Sequence, residues 1–124
     1  MAKRILIVED ETNIVESLAF LLRRDGFDVS TIPDGARAVG EAERVRPDLM
    51  ILDVMLPNLS GFDVLRDLRA HDSLGATPVM VLTAKGQMRD RDQAEQLGAD
   101  LFMTKPFSNA EIIAEARRLT GLAP

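Results

Sequence analysis

Several short apolar runs of this sequence end in, or are followed by, polar side chains whose chemistry could serve one site. These residues are Glu9, Asp10, Asp53, Thr83 and Lys105, the last followed by Pro106. Three carboxylates, a hydroxyl and an amine offer hard oxygen ligands for a divalent cation, a nucleophile and a positive point charge. The sequence has no cysteine and one histidine, which excludes thiolate catalysis, cysteine zinc sites and multi-histidine metal sites.

Asp53 is the most informative of these residues because it lies inside an apolar run, LMILDVML, at positions 49–56. A run so rich in branched residues is typical of a buried strand in a parallel sheet, where a lone ionised carboxylate is unfavourable. In open α/β sheets the binding site lies beyond the carboxyl ends of the strands, at the topological switch point. We therefore expect Asp53 to lie where the strand leaves the core, with residues 54–56 in the following loop.

Each polar residue also has a simpler interpretation. Asp53 could be a turn residue, and Glu9 and Asp10 could cap a helix and complement its dipole. Thr83 could be an ordinary strand former, and Lys105 could belong to a turn. The simpler interpretation is favoured for most of them singly, but polar groups at four strand ends on one rim would require several coincidences. We favour one joint site.

The types of these residues favour magnesium and phosphoryl chemistry over nucleotide binding. A nucleotide site would place glycines and backbone amides after the first strand, whereas this turn carries Glu9, Asp10 and Glu11, and neither GxxxxGK nor GxGxxG occurs. Carboxylates without histidine or cysteine partners favour Mg²⁺ over zinc. Mg²⁺ would draw a phosphoryl group toward Asp53, with Lys105 adding positive charge, and the carboxylate could then form an aspartyl phosphate.

The elements that must position these residues alternate along the chain. Apolar runs predict strands at 4–8, 28–32, 49–53, 79–83 and 101–104. Apolar spacing and capping residues predict helices at 12–24, 34–46, after Ser60, at 88–97 and after Ser108. This (βα)₅ pattern predicts an α/β fold with a parallel sheet covered on both faces, the more polar strand 28–32 at an edge. We expect His71, in a polar stretch after the third helix, to be an exposed loop residue.

Length and composition limit the class of protein. The 124 residues predict one domain over 1–124, and 46% apolar and 28% charged residues are ordinary for a globular protein. A net charge of −5 argues against direct nucleic-acid binding. The N-terminal apolar stretch, residues 5–8, is too short for a signal peptide, and no run approaches a membrane span. We expect a cytoplasmic protein without membrane contact.

The polar residues on a (βα)₅ chain resemble the receiver domain of two-component response regulators. PNLSG after Asp53 and GADLFMTKPF near the end are also similar to that family. The resemblance spans about residues 3–120. It implies a flavodoxin-like three-layer sandwich with strand order 2-1-3-4-5, and a phosphorylation switch whose output is protein–protein contact.

The resemblance also implies roles for the site. Asp53 would take a phosphoryl group from a phosphohistidine on a histidine kinase or phosphotransfer protein. The implied Mg²⁺ ligands are Glu9, Asp10, Asp53 and the backbone carbonyl of Met55. Lys105 would pair with Asp53 and then with the phosphoryl group, and its bond to Pro106 is expected to be cis. Such a protein catalyses its own phosphorylation and dephosphorylation without being a conventional enzyme.

The same resemblance implies how the switch responds. Thr83 would swing to the phosphoryl oxygen and Phe102 would turn inward, which repacks the face of helix four, strand five and helix five where partners dock. Phe102 stands where Tyr is more frequent in the family, and it has no hydroxyl to bond with partners. Met55 and Lys85, two residues after Asp53 and Thr83, would flank the acyl phosphate and tune its lifetime.

The interpretation we favour is a stand-alone receiver, a monomer or weak phosphorylation-dependent dimer with a downstream protein target. A phosphatase of the haloacid-dehalogenase type would need a second Asp at position 55, where Met55 stands. A degenerate receiver used as a scaffold usually lacks one of the core residues, and all are present here. The chain could also be a receiver fragment of a larger regulator with an output domain.

Overall fold

The structure, a computed structural model, describes residues 2–83 and 88–122. The elements follow in the order β1 (Arg4–Val8), α1 (Thr12–Arg24), β2 (Asp28–Ile32), a 3₁₀ turn (Gly35–Arg37), α2 (Ala38–Val45), β3 (Leu49–Asp53), α3 (Gly61–Ala70), β4 (Val79–Thr83), α4 (Met88–Gln96), β5 (Leu101–Thr104) and α5 (Asn109–Leu119). The five strands form one parallel sheet in the order β2-β1-β3-β4-β5. The predicted fold class and strand order are confirmed, and β2 lies at an edge.

Alternating strand residues bury both faces of this sheet. On one face, side chains of β1, β3 and β4 pack with α2, α3 and α4; these buried residues include Leu6, Val8, Met50, Leu52, Val81, Ala42, Leu65, Leu68 and Ala94. On the other face the strands pack with α1 and α5; these residues include Ile5, Ile7, Leu49, Ile51, Met80, Leu82, Leu18, Leu22, Ile112 and Ala116. Because helices cover both faces, every position of β3 and β4 is buried, which explains their continuous apolar sequences.

Side-chain caps mark where two of the predicted helices begin. The hydroxyl of Ser60 accepts a hydrogen bond from the backbone amide of Asp63, and Ser108 does the same for Glu111. The single helix predicted at 34–46 is instead divided into the 3₁₀ turn and α2. The segment begins with a 3₁₀ turn because Asp34 Oδ1 accepts a hydrogen bond from the backbone amide of Ala36, which tightens the first turn.

His71 is a correction to the prediction of an exposed loop residue. It follows α3, but its side chain is only 25% exposed. Its Nδ1 accepts from the backbone amide of Ser73 at 3.2 Å, and its Nε2 lies 3.5 Å from Glu43 Oε2. The turn after α3 therefore folds the ring back against α2, a contact between residues far apart in the sequence.

Among the helices within residues 2–83 and 88–122, none combines the length and the apolar character that crossing a bilayer requires.

Candidate functional site

The order of the parallel strands brings the predicted polar residues to one rim. β1 lies between β2 and β3, so the order in which successive strands are added to the sheet reverses at β1. Val8 stands opposite Leu52, and Asp53 opposite Leu82. Glu9 therefore follows β1 at the level where Asp53 ends β3 and Thr83 ends β4. This is the switch point at which open α/β sheets hold their ligands.

Three carboxylates converge at this rim. One oxygen from each of Glu9, Asp10 and Asp53 lies within 4.8 Å of the others. Asp53 is only 4% exposed and Glu9 is also buried, while Asp10 is open to solvent. An all-oxygen donor set with an open side fits Mg²⁺, which commonly uses one or two carboxylates and keeps several waters. The predicted cluster of carboxylates is therefore present as a geometric unit.

Lys105 enters the same cluster from the end of β5. Its Nζ lies 2.8 Å from Glu9 Oε1, 3.6 Å from Asp53 Oδ2 and 3.7 Å from Glu11 Oε1. Its backbone amide donates to the Thr83 carbonyl at 2.8 Å, which ties this segment to β4. The bond from Lys105 to the following proline is cis, as the resemblance implies.

The burial and charges of the cluster change its protonation. Burial raises the pKa of Asp53 from its ordinary value of 3.8 to about 7, and the hydrogen bond and negative charge of Glu9 act in the same direction. Burial also opposes ionisation of Glu9, but hydrogen bonds, first of all from Lys105, outweigh it and lower the pKa of Glu9. Burial opposes the charge of Lys105 as well, yet Glu9, Asp53 and Glu11 together raise the pKa of its amine. A cation beside Asp53 would favour its ionised, nucleophilic form.

The two predicted switch residues lie on the adjoining strands. Thr83 is buried at the end of β4, next to β3. Phe102, in β5, is 8% exposed and packs with the core on the α4 side of the sheet. The guanidinium carbon of Arg91 in α4 lies 5.7 Å from the centre of the Phe102 ring. The Phe102 ring is therefore already buried in this structure. The inward turn that the resemblance implies would not start from this position of the ring.

The predictions for Met55 and Lys85 have different outcomes. The side chain of Met55 is 74% exposed, while its backbone amide donates to Asp53 Oδ1 at 3.4 Å. The backbone of Met55 therefore lies next to the Asp53 carboxylate, and its part in tuning the lifetime of an acyl phosphate stays a prediction. Lys85 lies outside the described residues.

Two glycines and a pair of polar residues near the site were not predicted. A side chain at Gly61 would overlap the backbone carbonyl oxygen of Asp53, and one at Gly35 would overlap the carbonyl of Leu59. Asn58 donates from its side chain to Asp34 Oδ2 at 2.9 Å. The segments PDG at 33–35 and PNLSG at 57–61 were the available signals, but they resemble ordinary turns when taken separately.

Comparisons with known proteins agree with this architecture. The family model described as the response regulator receiver domain matches residues 5–117. The sensory transduction protein RegX3 of Mycobacterium tuberculosis is 44% identical over 113 residues, which cover 91% of this chain and 48% of that protein. The alkaline phosphatase synthesis transcriptional regulatory protein PhoP of Bacillus subtilis is 44% identical over 119 residues, covering 96% and 49%. The chain thus spans about half the length of the curated relatives it matches.

A solved structure gives the corresponding three-dimensional comparison. The receiver domain of the sensor histidine kinase PA1611 from Pseudomonas aeruginosa superposes with a TM-score of 0.90 at 34% identity. The match covers 98% of this chain and 99% of that one. That structure holds a magnesium ion coordinated in its active-site cleft.

Proposed function

This chain belongs to the receiver-domain family of two-component response regulators, and we propose that it is a switch operated by phosphorylation of Asp53. The observation that carries the proposal is the convergence of the Glu9, Asp10 and Asp53 oxygens within 4.8 Å, with the Lys105 amine 3.6 Å from Asp53. These groups supply a nucleophile, a cation site and a fixed positive charge at one point.

The residues of the cluster divide the chemistry among them. An oxygen of ionised Asp53 attacks the phosphorus of a phosphohistidine, so that a P–O bond forms while the P–N bond to the imidazole breaks. Mg²⁺, held by Glu9, Asp10, Asp53 and the Met55 carbonyl, would neutralise charge on the phosphoryl oxygens.

Lys105 supplies the second positive charge of the site. Its amine already lies between Glu9 and Asp53, so it can contact a phosphoryl group on Asp53 without a large movement. Burial of Asp53 and Glu9 limits the access of water to the aspartyl phosphate. Catalysis of this kind is positioning plus charge neutralisation, and the same groups would later assist hydrolysis.

The partners follow from this chemistry. A histidine kinase or a histidine phosphotransfer protein would deliver the phosphoryl group, and the face of α4, β5 and α5 would carry the signal to a downstream protein. Thr83 and Phe102 link the site to that face. The output could act on a separate protein, with the chain a monomer or weak phosphorylation-dependent dimer, or on an attached output domain. The second arrangement is supported by the half-length coverage of the curated relatives.

Two other functions have less support from the site. The phosphatase alternative needs a carboxylate at position 55, and Met55 offers none. A scaffold that is never phosphorylated would not need the carboxylates of Glu9, Asp10 and Asp53 within 4.8 Å of one another, with Lys105 beside two of them.

The deciding experiment is the intact mass of the protein after incubation with acetyl phosphate and Mg²⁺. We expect one phosphoryl adduct, which is lost in Asp53→Asn and in excess EDTA. Asp67→Asn, at an exposed position of α3, is the matched control and should keep the adduct. An adduct of unchanged yield in Asp53→Asn or in EDTA would overturn the proposed function.

A further inference from the structure

The loop that follows the acceptor residue, here called the acceptor loop (residues 54–60), is held firmly at its base. The amide of Gly61 donates to the Val54 carbonyl at 2.9 Å, which closes the loop where α3 begins. Gly61 lies so close to the Asp53 carbonyl that no side chain fits there. Met55 lies just beyond this base, and the position of its backbone carbonyl depends on the path of the loop.

The far end of the acceptor loop is attached to a different part of the chain. Asn58 Nδ2 donates to Asp34 Oδ2 at 2.9 Å, and the Gly35 amide donates to the Pro57 carbonyl at 3.3 Å. Asn58 has a φ of 69°, in the left-handed region that Asn tolerates better than most residues. The loop is thus bent toward the segment between β2 and α2, 24 residues earlier in the sequence.

Asp34 serves both segments at once. While Oδ2 accepts from Asn58, Oδ1 accepts from the backbone amide of Ala36 at 2.8 Å. The carboxylate is therefore oriented by the 3₁₀ turn before it meets the loop. Neither Asp34 nor Asn58 belongs to the cluster of carboxylates at the site.

We propose that the Asp34–Asn58 pair is a positioning contact that holds the acceptor loop in the path in which the Met55 carbonyl can bind Mg²⁺. This inference rests on the proposed function, because it concerns the same metal site. The exposed side chain of Met55 does not anchor the loop, whereas Leu56 and Leu59 pack partly buried against the core, and the Asp34–Asn58 pair adds to that packing from the surface. Loss of the Asn58 hydrogen bond leaves the bond from the Gly35 amide to the Pro57 carbonyl, and this weaker attachment admits loop conformations in which the Met55 carbonyl does not face the site.

Loss of the Asp34–Asn58 pair should weaken Mg²⁺ binding. The pair is an exposed hydrogen bond, whose loss typically reduces the population of the ordered loop several-fold. The apparent affinity for a ligand is proportional to the fraction of molecules in the binding-competent conformation. An added carboxylate near the site would, through its charge alone, strengthen the binding of a cation. If a variant adds a negative charge and still weakens Mg²⁺ binding, the cause is therefore the changed conformation of the loop and not the added charge.

The test uses Asn58→Asp, with Mg²⁺ binding to the unphosphorylated protein measured by titration calorimetry at constant ionic strength. Asp also tolerates a positive φ, but its carboxylate repels Asp34 instead of donating to it. We expect the Mg²⁺ dissociation constant to rise by about 3- to 10-fold, the factor that loss of one such hydrogen bond supports. The free energy of unfolding in EDTA should fall by no more than the loss of this one hydrogen bond supports, so the fold is retained.

The reciprocal variant Asp34→Asn with Asn58→Asp exchanges donor and acceptor, and its net charge equals that of the wild type. Its side chain at position 34 keeps an oxygen for the amide of Ala36, so the affinity for Mg²⁺ should return to within about two-fold of the wild-type value. Glu41→Gln is the control: it removes the charge from an ion pair with Arg44 on α2 and should leave Mg²⁺ binding unchanged.

The outcomes separate this inference from the proposed function. Wild-type Mg²⁺ affinity in Asn58→Asp, or a double variant as weak as the single one, overturns the positioning role. Should Asn58→Asp fail to fold, Asn58→Gly removes the donor without charge and suits the positive φ, and wild-type affinity in that variant also overturns it. If the wild-type chain binds no Mg²⁺, the proposed function fails and this inference fails with it.

Discussion

The ammonium group of Lys105 lies 2.8 Å from Glu9 Oε1, so a partly buried ion pair joins the segment after β5 to the end of β1. The same ammonium is 3.6 Å from Asp53, the residue between them in the sheet. Glu9 therefore orients Lys105 while adding its own negative charge beside Asp53. The net effect on Asp53 is a pKa raised to about 7, because burial and Glu9 outweigh the attraction of Lys105.

The raised pKa predicts how stability depends on pH in EDTA. The folded state holds a proton on Asp53 more tightly than the unfolded state, so the contribution of Asp53 to the free energy of unfolding falls as pH rises from about 4 to about 7. Asp53→Asn removes that effect and should be more stable than wild type at pH 8, by about 1–3 kcal/mol. The difference should disappear toward pH 4.

Urea denaturation in EDTA at several pH values measures this difference. Mg²⁺ should raise the stability of the wild-type protein at pH 8 much more than that of Asp53→Asn, because a ligand that binds the folded state stabilises it. A variant that is equally stable or less stable than wild type at pH 8 in EDTA would contradict the assignment.

A second prediction concerns the lifetime of the aspartyl phosphate. The backbone of Met55 lies next to Asp53, and we expect its long apolar side chain to exclude an attacking water from the acyl phosphate. Met55→Asn should shorten the half-life of the phosphoprotein by about 3- to 10-fold, which corresponds to roughly 1 kcal/mol in the hydrolysis barrier. Because the side chain is exposed, the free energy of unfolding should change little.

Met55→Leu is the matched control for that measurement, since it keeps an apolar side chain and should retain most of the wild-type half-life. The half-life is read from the decay of the phosphoryl adduct after rapid removal of the phosphodonor. A half-life in Met55→Asn that equals or exceeds the wild-type value would refute the protective role.

The strands and the joint position of the polar residues could be predicted because both depend on local pattern. The runs at 4–8, 28–32, 49–53, 79–83 and 101–104 are the strands observed. Once the sheet is parallel, the carboxyl ends of its strands share one rim. That Asp53 and Glu9 are neighbours on this rim follows from the strand order, which the resemblance implied and the structure has. The local pattern therefore predicted the strands and their shared rim, and the family resemblance added the strand order.

Contacts between distant segments could not be predicted in the same way. Arg69 donates to the carbonyls of Gly98 and Thr77 and to Asp100, partners up to 31 residues away that no periodicity links to it. The Asp34–Asn58 pair is of the same kind, because each residue alone is a common turn former. The buried position of the Phe102 ring also depends on how α4 packs over β5.

The last prediction concerns the link between the site and the face formed by α4, β5 and α5. Thr83 is a neutral hydroxyl at the end of β4, next to Asp53 on β3 and opposite Thr104 on β5. A phosphoryl oxygen on Asp53 would draw the Thr83 hydroxyl toward it. This movement would disturb packing on the α4 face of the sheet, where Arg91 lies over the Phe102 ring. α4 is poor in apolar side chains, with Ala94 the buried anchor among its described ones, so little burial opposes its displacement.

Thr83→Ala should therefore still accept a phosphoryl group on Asp53, because the nucleophile, the carboxylates and Lys105 remain, but it should lose most of the response beyond the site. The measurement is the change in hydrogen exchange over α4 and β5 when beryllofluoride and Mg²⁺, which stand in for the phosphoryl group, are added. Thr104→Ala is the matched control: it removes an exposed hydroxyl from the neighbouring strand end and should keep the wild-type change. An exchange difference in Thr83→Ala as large as that of wild type would show that the coupling takes another route, because the hydroxyl is then not needed to transmit it.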